Sequence, residues 1–106
     1  MLPMQINWSE QSQDDLRNIL SYVGNNFGRR KAEAVLSDIR DSANLLKDFP
    51  FIGKTFTEDE TLKISYRTLL SKLYQIVYYI EEDSVNIVAV WQNRRDVNNL
   101  KEFLAQ

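Results

Sequence analysis

Apolar residues recur at helical spacing in the first half of the chain, and they alternate with polar residues in much of the second half. The first helical segment follows Ser9, which offers an N-cap, and the acidic residues Glu10, Asp14 and Asp15 suit the positive end of its dipole. Its apolar stripe consists of Leu16, Ile19, Leu20, Val23 and Phe27. Residues 24–28 are rich in glycine and asparagine, which tolerate left-handed conformations. The pattern therefore predicts a first amphipathic helix that breaks over residues 24–28.

A second helix is predicted to start near Gly28 or Arg29. Its stripe is the most regular in the chain and consists of Ala32, Val35, Leu36, Ile39, Ala43, Leu46 and Phe49. Pro50 should end this helix, because the residue before a proline is pushed out of the α region. The short link between the helices predicts an antiparallel hairpin.

The remaining segments have the alternation and composition of β-strands. Residues 4–8, from Met4 to Trp8, alternate and predict a short N-terminal strand at a sheet edge. Residues 51–53 and 57–61 are interpreted as loop, and residues 62–67, 73–80 and 85–91 as strands. The last two strands must be antiparallel because their link is short. Asp96 can cap a final short helix that carries Leu100, Phe103 and Leu104.

These elements predict one α+β domain over residues 1–106, in the order β-α-α-β-β-β-α. An N-terminal strand and an antiparallel helical hairpin would pack on a C-terminal antiparallel sheet, the only surface available to bury the helix stripes. Hydrophobic residues make up 43% of the chain and charged residues 26%, which is typical of a folded domain.

Composition restricts the chemistry of the chain. No apolar run approaches the ~18–20 residues of a membrane span, and the start lacks the layout of a signal peptide, which predicts a cytoplasmic protein without membrane contact. The absence of cysteine and histidine removes disulfides, thiolate metal sites and the commonest general base, and we expect no metal or cofactor. A net charge of −2 argues against direct nucleic-acid binding by the whole surface but permits a local basic patch.

Basic residues of the C-terminal half form such a candidate patch. Lys63 and Arg67 lie four apart on one predicted strand, with Ser65 between them, and should share a face. Arg94 and Arg95 follow the last strand. If these groups converge at the end of the sheet, they can bind a phosphate or a carboxylate. The alternative is that the two C-terminal arginines form surface ion pairs with Asp96, Asp38 or Asp41.

Large aromatic residues admit two interpretations. Trp91 ends a strand and is either an exposed interface anchor or, as most large aromatics are, part of the core. Tyr74, Tyr78 and Tyr79 point to both faces of one strand, so we expect at least one of them to be exposed.

The order and spacing of several short motifs are similar to a known family. They are INWS at 6–9, DDL at 14–16, ILSYV at 19–23, AEAVLSDI at 32–39, LLKDFPFIG at 45–53, Arg67 with YQIVY at 74–78, and IVAVWQNRRD at 87–96. Together they resemble the RelE/ParE superfamily of bacterial toxins from type II toxin–antitoxin modules. The resemblance covers nearly the whole chain.

Departures from the family pattern favour its ParE-like branch. Trp91 or Gln92 stands where the family's histidine precedes Arg-Arg-Asp. Gln75 occupies the strand position of an arginine in RelE-like ribonucleases, Ser65 replaces a lysine, and no tyrosine follows Tyr79. No residue of this chain is therefore an obvious general acid or general base for RNA cleavage. The ParE-like branch is not enzymatic and is known for poisoning DNA gyrase.

The resemblance implies a toxin that causes growth arrest and plasmid stabilisation by binding gyrase. A ParD- or RelB-like antitoxin would neutralise it in a hetero-oligomer. The target would contact Arg67, Trp91, Arg94 and Arg95. The antitoxin would occupy a groove between hairpin and sheet, or pair with the edge strand at residues 4–8.

Two alternatives stay open. One is a RelE-like, ribosome-dependent mRNA interferase, an endoribonuclease in which Lys63, Arg67, Arg94 and Arg95 hold the RNA phosphate. The other is a non-toxic family member that only binds an antitoxin.

Overall fold

A computed structural model describes residues 3–92 of the chain. The elements are β1 (Gln5–Trp8), α1 (Glu10–Phe27), α2 (Arg29–Leu45), β2 (Lys54–Asp59), β3 (Ile64–Ser71), β4 (Tyr74–Glu81) and β5 (Ser84–Gln92). The strands form one sheet in the order β1-β5-β4-β3-β2. This architecture confirms the predicted α+β class, with a strand and a helical hairpin before an antiparallel sheet. The predicted final helix at Asp96 lies outside the described residues.

The first helix starts as predicted but ends later. Ser9 caps it, because its hydroxyl oxygen accepts a hydrogen bond from the Ser12 N–H at 3.0 Å. The predicted break across residues 24–28 is wrong in extent, since α1 continues through Gly24 to Phe27. The hairpin turns at Gly28, whose φ of 92° is a conformation that glycine adopts without strain.

The second helix starts at Arg29, as predicted, and ends before the proline expected to stop it. The α-helix stops at Leu45, followed by a tight turn in which Leu46 N–H donates to the Ala43 carbonyl. Phe49 therefore leaves the predicted stripe, and 59% of its surface is exposed. Pro50 excludes helical geometry from Phe49, and the residues between Leu45 and Phe49 form the turn that leads into β2.

The sheet has one strand more than the sequence pattern predicted. Residues 57–61, interpreted as loop, include the end of β2, which pairs antiparallel with β3. The acidic residues of this segment are typical of turns. At the exposed edge of the sheet, however, pairing with β3 determines the strand conformation more than the local preference of these residues does. The N-terminal strand confirms the edge prediction, and β1 runs parallel to β5.

Side chains from both faces of the sheet are buried. The hairpin face holds the larger cluster, which includes Ile39 and Leu46 from the α2 side and Ile76, Tyr78 and Ile87 from the strands. The opposite face holds Tyr66, Val77, Ala89 and Trp91. Among the described residues no helix is long and apolar enough to cross a membrane.

The aromatic predictions had different outcomes. Trp91 is 9% exposed, which favours its interpretation as core. The expectation that one of the three β4 tyrosines would be exposed is wrong. Tyr74 and Tyr78 are buried in the hairpin-side core, and Tyr79 is half-buried on the other face. There its ring packs edge-on against Tyr66 at 5.9 Å between centroids, because cross-strand aromatics cover one another.

Candidate partner-binding surfaces

The two basic residues predicted to share a strand face do not do so. Lys63 precedes β3, in a turn with a left-handed φ of 57°, and its side chain is exposed. The turn takes Lys63 out of the strand register on which the prediction depended. Arg67 lies within β3 and points to the hairpin side, opposite Tyr78 of β4.

Arg67 is engaged with its own chain. One guanidinium nitrogen donates to the Gly53 carbonyl at 2.8 Å and approaches the Phe51 carbonyl at 3.5 Å. The guanidinium carbon lies 4.9 Å from the centre of the Phe51 ring, a cation–π contact. We call residues 47–53, which connect α2 to β2, the strap. Arg67 therefore holds the strap to β3.

Tyr78 holds the same strap from β4. Its buried hydroxyl donates to the Pro50 carbonyl at 2.8 Å and accepts from the Gly53 N–H at 3.0 Å. Burial raises the pKa of Tyr78 above 10.0, although the Gly53 N–H and the Arg67 charge lower it in part. The hydroxyl is therefore protonated at neutral pH and can donate.

Gly53 has no room for a side chain. A Cβ there would lie 2.5 Å from the Tyr78 hydroxyl oxygen and 2.7 Å from the Thr68 carbonyl oxygen. The glycine of the LLKDFPFIG motif thus has a structural basis in the close approach of the Tyr78 hydroxyl, which bridges the Pro50 carbonyl and the Gly53 N–H. Sequence patterns indicate the motif and Tyr78 separately and do not connect them.

Arg94 and Arg95 lie outside the described residues, so their predicted convergence with Arg67 stays a prediction. One of the carboxylates suggested as their partner already has another. Asp38 forms an ion pair with Lys72, with 2.9 Å between the carboxylate oxygen and the ammonium nitrogen.

A groove of about 520 Å³ runs between α1 and the end of β5. It is lined by Gln11, Asp15, Asn18, Ile19, Tyr22, Tyr74, Val90, Trp91 and Gln92. Tyr22 is 57% exposed on its rim, whereas Tyr74 is buried at its wall. Burial and the neighbouring Tyr22 raise the pKa of Tyr74. Trp91, a predicted target contact, lines this groove at the end of β5, but its side chain packs in the cluster on the opposite face of the sheet.

Asp15 fixes the position of α1 along the groove. Its Oδ2 accepts a hydrogen bond from the Val90 N–H at 3.0 Å, on the edge of β5 beyond the reach of β1. Its Oδ1 accepts from the Gln11 amide at 2.8 Å. The Asp15 carboxylate therefore takes the place of a strand partner for β5. The sequence indicates Asp15 only as a favourable charge near the N-terminus of the helix.

The other predicted antitoxin surface, the edge strand β1, is occupied at both ends. Met4 N–H donates to the Lys47 carbonyl of the strap at 2.9 Å. The Trp8 carbonyl accepts from the Gln13 side chain at 3.1 Å. An added strand would have to displace these bonds or pair only with the centre of β1.

The sequence matches the family described as ParE toxin of type II toxin-antitoxin system, parDE, over residues 6–97. The chain belongs to this ParE toxin family. No curated protein has a matching sequence. One similar structure is that of the chromosomal ParDE TA system from P. aeruginosa, with a TM-score of 0.70 and 18% identity over 84% of this chain and 95% of that one.

A second similar structure is a solution structure of a conserved hypothetical protein from Helicobacter pylori. It has a TM-score of 0.51 and 16% identity over 85% of this chain and 94% of that one. At these identities the likeness establishes a shared fold. Within the described part of this ParE-family chain, no group of acidic side chains is placed to hold a metal ion.

Proposed function

We propose that this ParE-type toxin of a type II toxin–antitoxin system inhibits DNA gyrase by direct binding and is neutralised by a cognate antitoxin. The observation that carries the proposal is the engagement of Arg67 with the strap. Family membership supplies the toxin class, and the placement of the basic residues favours binding to a protein over cleavage of RNA.

A ribonuclease needs cationic groups that converge on the phosphate and a group that moves a proton. One guanidinium nitrogen of Arg67 donates to the Gly53 and Phe51 carbonyls, and the guanidinium lies against the Phe51 ring. Lys63 is exposed in a turn outside the strand. Lys63 and Arg67, two of the four proposed phosphate ligands, therefore do not share a strand face, which argues against the interferase alternative.

The α1–β5 groove is the surface that best fits the antitoxin. It combines the exposed ring of Tyr22, the apolar side chain of Ile19 and the carboxylate of Asp15. An antitoxin segment that is disordered alone can fold into such a groove. The similar P. aeruginosa protein comes from a ParDE system, which supports the existence of an antitoxin partner for this chain as well.

The target is tested with purified protein in two assays. Gyrase is assayed for inhibition of supercoiling and accumulation of cleaved DNA, and translating ribosomes are assayed for mRNA cleavage. We expect gyrase inhibition without mRNA cleavage. Cleavage of mRNA with gyrase unaffected would overturn the proposal in favour of the interferase. Inactivity in both assays, with no growth arrest on expression, would leave a non-toxic antitoxin binder.

The antitoxin surface is tested by isothermal titration with the antitoxin, to be sought as the product of a small reading frame beside the gene. Tyr22→Ser should weaken binding at least tenfold, because an exposed aromatic at a groove rim is a typical interface anchor. Phe49→Ser is the matched control, since Phe49 is 59% exposed and Tyr22 57%, yet Phe49 lies on the strap. Equal losses in both variants, or a loss only in Phe49→Ser, would contradict the groove as the antitoxin site.

A further inference from the structure

The edge of the sheet farthest from the α1–β5 groove is formed by β2. In the described part of the chain, β2 pairs only with β3 and leaves its outer edge open. An open strand edge presents main-chain donors and acceptors that can pair with another strand. The sequence of β2 and of the residues on either side of it indicates which strand could pair with this edge.

The charges of β2 are arranged with opposite signs at opposite ends. The strand consists of KTFTED, with Lys54 at its start and Asp59 at its end. Neither side chain forms an ion pair with the other residues of the described part. Five strand residues at ~3.4 Å each separate the two by about 17 Å, so they cannot pair within one chain.

Exposed apolar side chains flank the same strand. Phe51 and Ile52 precede it and are 67% and 52% exposed. Leu62 follows it in the β2–β3 turn and is 62% exposed. Apolar residues are therefore available at both ends of an unpaired strand, where they add area to any edge-to-edge contact.

We propose that β2 pairs antiparallel with β2 of a second copy about a two-fold axis between Phe56 and Thr57. In antiparallel pairing the start of one strand lies opposite the end of the other. Lys54 of each copy therefore lies opposite Asp59 of the other copy. The same geometry brings Phe51 and Ile52 beside Leu62 of the other copy. A two-fold axis makes each favourable contact twice, which is how self-complementary interfaces form.

A bulge at Phe56 is also consistent with a competing interpretation, in which this edge is protected from pairing with another strand. The β2–β3 register shifts between Thr55 and Thr57, so Phe56 is an extra residue on the edge strand. Bulges and lysines are also used to protect edges from pairing. In the proposed dimer the bulge lies beside the two-fold axis and the lysine has a partner, whereas in a protected edge the lysine repels the second copy.

The dimer is compatible with the groove surface. β2 and β1 are the opposite edges of the sheet, and the groove lies at the β5 side. The two copies would form a continuous sheet of ten strands, with a groove near each end. Self-association is therefore independent of the proposed antitoxin site.

The test is a charge swap followed by sedimentation equilibrium over a range of protein concentrations. The native chain should reach twice its 12.5 kDa mass. Lys54→Asp and Asp59→Lys should each raise the dimer dissociation constant about tenfold, because two attractive cross-strand pairs become repulsive. The double variant should restore dimerisation, since each reversed charge again meets its opposite in the other copy.

Three outcomes would overturn the proposal. The native chain could stay monomeric at all concentrations, the double variant could fail to recover, or Lys54→Asp could increase association, as expected of a protective lysine. Urea unfolding of each variant separates weakened pairing from misfolding. Tyr22→Ser serves as the control surface change and should leave the dissociation constant unaltered.

Discussion

The groove and the strap use two tyrosines of one strand in opposite ways. Tyr78 lies beneath the strap with both hydrogen-bonding functions of its hydroxyl engaged by the main chain. Tyr74, four residues earlier on the same face of β4, forms the wall of the groove, and its hydroxyl has no hydrogen bond to the described residues. Within the described residues, the Pro50 and Gly53 main-chain groups of the strap are thus bonded to a side chain, whereas the groove has an exposed rim at Tyr22.

The same comparison applies to the charged residue of each region. Arg67 donates to a strap carbonyl, and Asp15 accepts from a β5 N–H. Both charges bond main-chain groups, so both contribute to the stability of the fold. A charged side chain in a candidate site is therefore not by itself a ligand contact, and its existing bonds decide its role.

The largest expected effect is at the contact between the strap and β4. Gly53→Ala should lower the free energy of unfolding by about 3 kcal/mol, measured by urea denaturation, because the added Cβ forces the Tyr78 hydroxyl and the strap apart. Gly24→Ala is the control. Its Cβ would meet only the Ala32 Cβ, at 3.9 Å.

Gly24→Ala should stabilise the protein by about 0.5–1 kcal/mol, since alanine is the better helix former. If Gly53→Ala were as well tolerated as the control, the close approach of Tyr78 to the strap would be wrong.

The next effect separates the two tyrosines. Tyr78→Phe should cost about 2 kcal/mol of unfolding free energy, because it leaves the buried Gly53 N–H without its acceptor. Tyr74→Phe removes a hydroxyl without a hydrogen bond among the described residues, and it should change stability by less than about 0.5 kcal/mol. Equal losses in the two variants would remove the distinction between a satisfied strap and an open groove.

The elements of the fold that could be predicted are those whose hydrophobic and polar residues follow a regular sequence pattern. The helix stripes apart from their exposed last residues, Phe27 and Phe49, were predictable, as were the Ser9 cap and the edge strand β1, because each repeats a local rule. β2 was missed because an exposed edge strand requires no apolar alternation. The early end of α2 was missed because the strap binds Tyr78 and Arg67, which lie 25 and 14 residues beyond Gly53.

The candidate site was less predictable than the fold. Family motifs pointed to Arg67 and Trp91, but not to the bonds that engage Arg67 or to the burial of Trp91. From the sequence Asp15 is interpreted as a helix-dipole residue, because its partner, Val90, lies 75 positions away. Pairings of this kind depend on the register of α1 against β5, which no local pattern specifies.

The third prediction concerns the charge at the groove. Asp15→Ala should cost about 1.5 kcal/mol of unfolding free energy, because the Val90 N–H loses its charged acceptor. The neighbouring carboxylate is the control, since among the described residues Asp14 forms an exposed ion pair with Arg17 and no bond to the sheet. Asp14→Ala should change stability by less than about 0.5 kcal/mol. A larger loss in Asp14→Ala than in Asp15→Ala would contradict the anchoring role.

The smallest effect decides whether Arg67 belongs to the strap or to a target interface. Arg67→Met keeps an unbranched side chain over Phe51 and removes the donors to the strap carbonyls. It should therefore cost about 1 kcal/mol of unfolding free energy. If the chain inhibits gyrase as proposed, inhibition per folded molecule should stay unchanged. Lys63→Met, at an exposed cation in a turn, is the control and should alter stability by less than about 0.5 kcal/mol.

The two roles of Arg67 give opposite pairs of results. A strap residue loses stability and keeps inhibition, whereas a target contact keeps stability and loses inhibition at least tenfold, as expected for an arginine at the centre of an interface. Measuring both quantities on one preparation removes the ambiguity of an activity assay alone. Loss of inhibition at unchanged stability would return Arg67 to the target surface and would place the target contact beside the strap.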